Sequence, residues 1–144
     1  MENNTFRADL PGILLLSHGP FCAALLESAQ MIAGTAENVV ALPLHEQDDI
    51  NEYGRNAMQT LRAMPEGTIV LFDLASGTPF NQMMMQSGGE AFYGLCGMSL
   101  PLLLEALTLR EFMQGEELIS ALVSAGQSAV VSIASFFDPT LDEV

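Results

Sequence analysis

The chain has no lysine and no tryptophan, and only four arginines stand against eighteen Asp and Glu, a formal net charge of −14. Such a surface repels nucleic-acid phosphates and anionic lipid headgroups, which argues against both as partners and leaves a basic protein as the charged partner to consider. Without lysine there is no Walker loop, and no GxGxxG is present, so nothing points to direct nucleotide binding. A GxSxG nucleophile elbow is also missing, which leaves a serine hydrolase without its usual signature. The two cysteines, Cys22 and Cys96, match no CxxC or zinc spacing and read as reduced, buried thiols packed as small apolar groups. Apolar runs such as Ile13–Leu16 and Leu100–Leu104 fall far short of the ~20 residues that cross a bilayer. The N-terminus lacks the positive and apolar regions of a signal peptide, so a cytoplasmic, soluble protein is expected.

What is present is a chain of 144 residues, 49% hydrophobic, with a mean hydropathy of +0.31. That length suits one domain over 1–144, which buries roughly 70% of its extended-state surface without a staple. Continuous apolar runs predict strands at Gly12–Ser17, Asn38–Leu44, Thr68–Leu74 and Ala91–Met98. Between them lie helical spacings. Leu25, Leu26, Ala29 and Ile32 mark a helix from Phe21 that Gly34 stops, and Ile50, Tyr53, Ala57, Leu61 and Met64 mark one that ends at Pro65. A third helix starts near Pro79 and closes at Gly88-Gly89, and Ser99 caps a fourth from Leu100 to Met113. Another follows from Glu116 to Ala125, and a β-rich run, Ala129–Phe137, precedes Pro139. Four β-α units in a row predict an α/β fold with a mostly parallel sheet and helices on both faces. In such folds the working site lies outside the carboxyl ends of the strands.

Those ends carry His18-Gly19, His45, Asp73 and the turn Ser76-Gly77-Thr78-Pro79-Phe80. His18 stands at a helix start, where unpaired amides suit an anion and the dipole favours a neutral imidazole. Alone it reads as a structural histidine. Asp73 changes that, since a carboxylate in an apolar strand needs a partner, and on a neighbouring parallel strand it can hold one nitrogen of His18. Its competing role is to cap the following turn. Gly19, Gly77 and Thr78 supply backbone and hydroxyl donors for a phosphate, although GTPF by itself is only a turn and helix start. His45 lies among Glu46, Asp48 and Asp49, which read as a solvated loop rather than a metal site, and neither metal nor cofactor is expected. Met83-Met84-Met85 reads as gap-filling core in the third helix.

Three motifs together carry a resemblance. Ser17-His18-Gly19 after a strand, Phe72-Asp73 followed by Ser76-Gly77-Thr78-Pro79-Phe80-Asn81, and Gly97-Met-Ser-Leu-Pro-Leu-Leu-Leu-Glu105 resemble enzyme IIA of the mannose family of the bacterial sugar phosphotransferase system. The resemblance spans positions 11 to 130 and implies a phosphotransferase that works as a phosphocarrier. His18 matches the phosphorylated histidine, Asp73 the carboxylate that orients it, and Thr78 the hydroxyl of the glycine-rich turn. It implies the phosphocarrier HPr as donor, a IIB subunit as acceptor, and membrane components IIC and IID indirectly, which makes the protein peripheral to the membrane. It also implies a homodimer that exchanges a C-terminal strand, here Ala129–Ile133. The sequence departs from the family at Ser76 (one of two paired glycines), at Pro20 (an aromatic residue) and at Ser99 (asparagine). Two other readings stay open: a phosphocarrier serving a dihydroxyacetone kinase, and a non-catalytic regulatory domain of the same fold. Which sugar is served is not legible.

Overall fold

The structure is a computed structural model that describes residues 5–138 and Thr140. In chain order the elements are β1 (Ile13–His18), α1 (Phe21–Ala33), β2 (Val39–Leu44), α2 (Ile50–Ala63) and β3 (Ile69–Phe72). They continue with α3 (Thr78–Gln86), β4 (Tyr93–Cys96), α4 (Leu100–Leu109), α5 (Gly115–Ser128) and the short α6 (Ala134–Phe137). The sheet runs β2-β1-β3-β4 with every pair parallel. This is the α/β arrangement that the alternation of apolar runs and helical spacings predicts.

The alternation of side chains along β1 and β3 builds two cores. Ile13, Leu15, Ile69 and Leu71 point to one face, where Cys22, Leu25 and Ala29 of α1, Leu102, Leu103 and Ala106 of α4, and Leu118 and Leu122 of α5 close over them. Leu14, Leu16, Val70 and Phe72 point to the other, against Tyr53, Ala57 and Met58 of α2 and Met83 of α3. Ile13–Leu16 of β1 and Ile69–Phe72 of β3 are therefore apolar at every position, because neither face meets water there. The edge strand β2 carries Pro43, a residue suited to an edge since it cannot donate to a ladder.

The ends are set by chemistry read from the sequence. Asp49 Oδ1 accepts the Glu52 N–H at 3.0 Å to cap α2, and Ser99 Oγ accepts the Leu102 N–H at 3.3 Å to cap α4. The Ser99 departure thus retains a capping oxygen. Gly34, at φ +87°, ends α1 in the left-handed region where glycine is favoured.

Three expectations are corrected. The run Ala129–Phe137 is not a strand: Ala129 ends α5 and Ala134–Phe137 forms α6. The physical reason is that a strand needs a ladder partner, and among the described residues 129–133 has none; Val130, Val131 and Ile133 stay exposed instead. Of the three consecutive methionines only Met83 is buried, while Met84 and Met85 are exposed, because successive helical residues turn by about 100° and one face alone meets the sheet. Cys22 is fully buried, with its thiol pKa pushed up by burial, whereas Cys96 is only partly buried.

Candidate active site

Strand order reverses between β1 and β3, since the chain leaves β1 for β2 on one side and returns to β3 on the other. Ligand sites in doubly wound sheets lie at the carboxyl ends of the two strands flanking that reversal. Here those ends carry His18, the last residue of β1, and Asp73, the residue after β3. The backbone binds them into register, with the Asp73 N–H donating to Leu16 O at 3.2 Å.

The two side chains meet. His18 Nδ1 lies 2.9 Å from Asp73 Oδ2, and the His18 backbone N–H donates to the same oxygen at 3.0 Å. An ionised carboxylate only accepts, so the ring proton in this contact belongs on Nδ1 and the lone pair on Nε2. Asp73 is mostly buried, its side chain 14% exposed, and its Oδ1 is buried without a hydrogen-bond partner. Its one ion-pair contact among the described residues is His18.

Two turns frame the imidazole. At the first, Ser17 is fully buried, and its Oγ accepts the Cys22 N–H at 2.9 Å and donates to Gly19 O at 3.2 Å. Pro20 occupies the N-cap position of α1 without a capping side chain, so Ser17 does the capping from outside the helix. Gly19 takes φ +58°, a region in which an L side chain is strained, and its N–H donates to Leu44 O at 2.7 Å. At the second turn Gly77 is the N-cap of α3, with Thr78 and Pro79 opening the helix. A Cβ at Gly77 would stand 2.6 Å from His18 Cε1 and 3.3 Å from Nε2. Glycine is needed there for approach and not for conformation, since φ is −82°. Ser76, where the family has its other glycine, adopts φ +66°.

The predicted site residues His18, Asp73, Gly19, Gly77 and Thr78 thus lie around one point at the carboxyl end of the sheet. His45 does not join them. Its N–H donates to Asp48 Oδ2 at 2.8 Å, and with Asp49 it forms the exposed turn into α2. Among the described residues no group of three His, Cys, Asp or Glu is placed to hold a metal ion. Sequence reasoning assigned no role to Ser17 or Asn81, the latter bonding Ser76 O through its side chain at 3.0 Å. The Ser17 signal is faint because a serine five residues ahead of its amide donor matches no usual capping pattern.

A family model, EIIA-man, described as "PTS system fructose IIA component", matches residues 12–123. The chain belongs to this family. The general function of these phosphotransferase-system IIA components is that of a phosphocarrier, with HPr and IIB as partners. The chain is 32% identical over 120 residues to the "PTS system fructose-specific EIIA component" of Bacillus subtilis, covering 81% of this chain and 82% of that protein. Its fold superposes on a phosphotransferase-system EIIA component from Streptococcus agalactiae with a TM-score of 0.79 at 27% identity, over 88% of this chain and 99% of the other. A mannose/sorbose-specific IIA subunit from Enterococcus faecalis gives 0.72 at 30% identity, over 86% and 95%. The resemblance to the mannose family is therefore borne out.

In this IIA component His18 stands on the surface, its side chain 48% exposed. A concavity of about 570 Å³ between β2 and α2, lined by Asp48, Asp49, Glu52 and Arg55, does not include His18. Among the described residues no helix is long and apolar enough to cross a membrane. The close approach of Gly77 gives a direct test of the geometry. In Gly77→Ala the ring or the turn must yield by about 0.8 Å to reach ordinary contact, so a crystal structure of the variant is expected to show Nδ1–Oδ2 lengthened beyond hydrogen-bond range. A bond retained at 2.9 Å would show that Gly77 does not constrain the imidazole.

Proposed function

We propose that His18 carries the phosphoryl group, taking it from phosphorylated HPr and passing it to a IIB subunit. The supporting observation is the double hydrogen bond from His18 to Asp73 Oδ2, which presents Nε2 outward with its lone pair free. Nε2 attacks the phosphorus of the donor's phosphohistidine in line. The new Nε2–P bond forms as the donor's N–P bond breaks, and the donor imidazole leaves with the bonding pair. The proton on Nδ1 stays where it is. Phosphorylation therefore makes the His18 ring cationic, and the Asp73 carboxylate balances that charge.

The group is held by neutral donors. Among the described residues the N–H groups of Gly77, Thr78 and Phe80 make no hydrogen bond, as expected at a helix start, and the four arginines lie elsewhere: Arg7 before β1, Arg55 and Arg62 on α2, and Arg110 ending α4. Amides and the Thr78 hydroxyl hold a phosphoryl group without the permanent cation that would retain it, which suits a relay between histidines of similar energy. In such a relay the sugar does not touch this chain, and IIB, IIC and IID choose it.

The surface around His18 suits a protein donor. Phe21 and Leu74, both exposed, flank it with apolar contact area, and the turn carrying exposed Glu46, Asp48 and Asp49 begins beside it at Leu44. An apolar patch rimmed by acids fits a partner with a basic rim around its own histidine.

We further propose that the protein is a homodimer in which residues 129–133 of each copy pair with the outer edge of β4 in the other. Among the described residues that edge is unpaired, and a partly apolar groove of about 390 Å³ lined by Phe80, Phe92 and Leu95 runs along it. The exposed Val130, Val131 and Ile133 supply the matching apolar strand.

His18→Ala is expected to abolish acid-labile phosphate uptake from phosphorylated HPr, and Asp73→Asn to slow it on the order of a hundredfold with little change in unfolding midpoint. Phosphate retained by His18→Ala would overturn the assignment, and an unchanged rate in Asp73→Asn would remove that residue from the chemistry. With native protein, raising salt from 50 to 500 mM should slow transfer on the order of tenfold. A salt-independent rate would confine the −14 charge to solubility. Light scattering should give twice the chain mass for the native protein and one chain mass for Val131→Asp combined with Ile133→Asp. A dimer in that variant would remove the tail from the interface.

A further inference from the structure

The turn before α3 contains a strained residue and a side chain that holds it. Ser76 sits at φ +66°, a region that non-glycine residues occupy sparsely. Five residues on, in the first turn of α3, Asn81 Nδ2 donates to the Ser76 carbonyl at 3.0 Å, while the Asn81 backbone N–H donates to Gly77 O at 2.8 Å. Asn81 thus grips two successive carbonyls of the segment that passes the His18 ring.

The grip has a directional consequence. The Ser76–Gly77 peptide is trans, so its C=O and its N–H point to opposite sides. Fixing the carbonyl toward Asn81 fixes the Gly77 N–H away from it. Gly77 is the residue whose added Cβ would stand 3.3 Å from His18 Nε2. The Asn81 side chain therefore fixes which way the Gly77 amide faces in the turn that passes the His18 ring.

We propose that Asn81 is a positioning residue for phosphoryl transfer: through Ser76 O it holds the left-handed turn that sets the direction of the Gly77 amide beside the transferring group. It touches neither donor nor phosphorus in this role. Because Asn81 is exposed, its bond adds little to folding, and its removal is read in the chemistry. The dependence on a clamp arises from Ser76, since glycine adopts this φ without strain.

The inference rests on His18 being the phosphoryl carrier, and the test separates the two. Rapid-quench transfer from phosphorylated HPr is measured for the native protein, His18→Ala, Asn81→Ala and the pair Asn81→Ala with Ser76→Gly. Asn81→Ala should lower the rate at saturating HPr by about 10- to 100-fold. The half-saturating HPr concentration should stay within about twofold, since the docking surface is untouched. Adding Ser76→Gly should restore most of the rate, a rescue that a merely structural role for Asn81 would not give. An unchanged saturated rate in Asn81→Ala, or a loss that Ser76→Gly leaves in place, would overturn the positioning role while leaving His18 as carrier. Labelling of His18→Ala would overturn both.

Discussion

One carboxylate oxygen organises this molecule's working end. Asp73 Oδ2 receives both the backbone N–H and the ring Nδ1 of His18, which ties the end of β3 to the end of β1 where strand order reverses. Everything around the contact serves to keep it. Two apolar strands bury the backbone beneath it, Ser17 closes the turn on one side, and Gly77 packs against the ring on the other. The other oxygen, Oδ1, is buried without a hydrogen-bond partner among the described residues.

The remaining features fit the role proposed for His18, which is to hold a phosphoryl group briefly and present it to two different proteins. A buried pocket would obstruct a protein donor, and His18 is half exposed. A lysine or arginine clamp would slow departure, and the chain supplies amides at the α3 start instead. Among the described residues Asp73 is the one acid paired with the His18 ring, and the role proposed for the other acids is in the encounter with the donor.

Much of this was legible in the sequence, for identifiable reasons. The central strands announce themselves because both faces are buried, so Ile13–Leu16 and Ile69–Phe72 are apolar without alternation. Asp73 was conspicuous as a charge at the end of such a run, and His18 as the polar residue ending another; the parallel register then placed them side by side. The tail was misread because VVSI has strand composition, whereas pairing depends on an available edge that composition does not encode. Ser76 looked like a simple replacement of glycine, and its left-handed conformation and the Asn81 side chain that holds it emerge only from three-dimensional backbone geometry. Met84 and Met85 were misread because three consecutive residues of one type cannot share a helix face.

The account stands on which imidazole nitrogen carries the proton and which carries phosphorus. Nitrogen-15 and phosphorus-31 NMR of selectively labelled protein answers both. His18 is expected to carry its ring proton on Nδ1 with a bare Nε2 before transfer, and to show phosphorus–nitrogen coupling at Nε2 with the Nδ1 proton retained afterwards. A proton on Nε2 in the resting protein, or phosphorus bound to Nδ1, would contradict it.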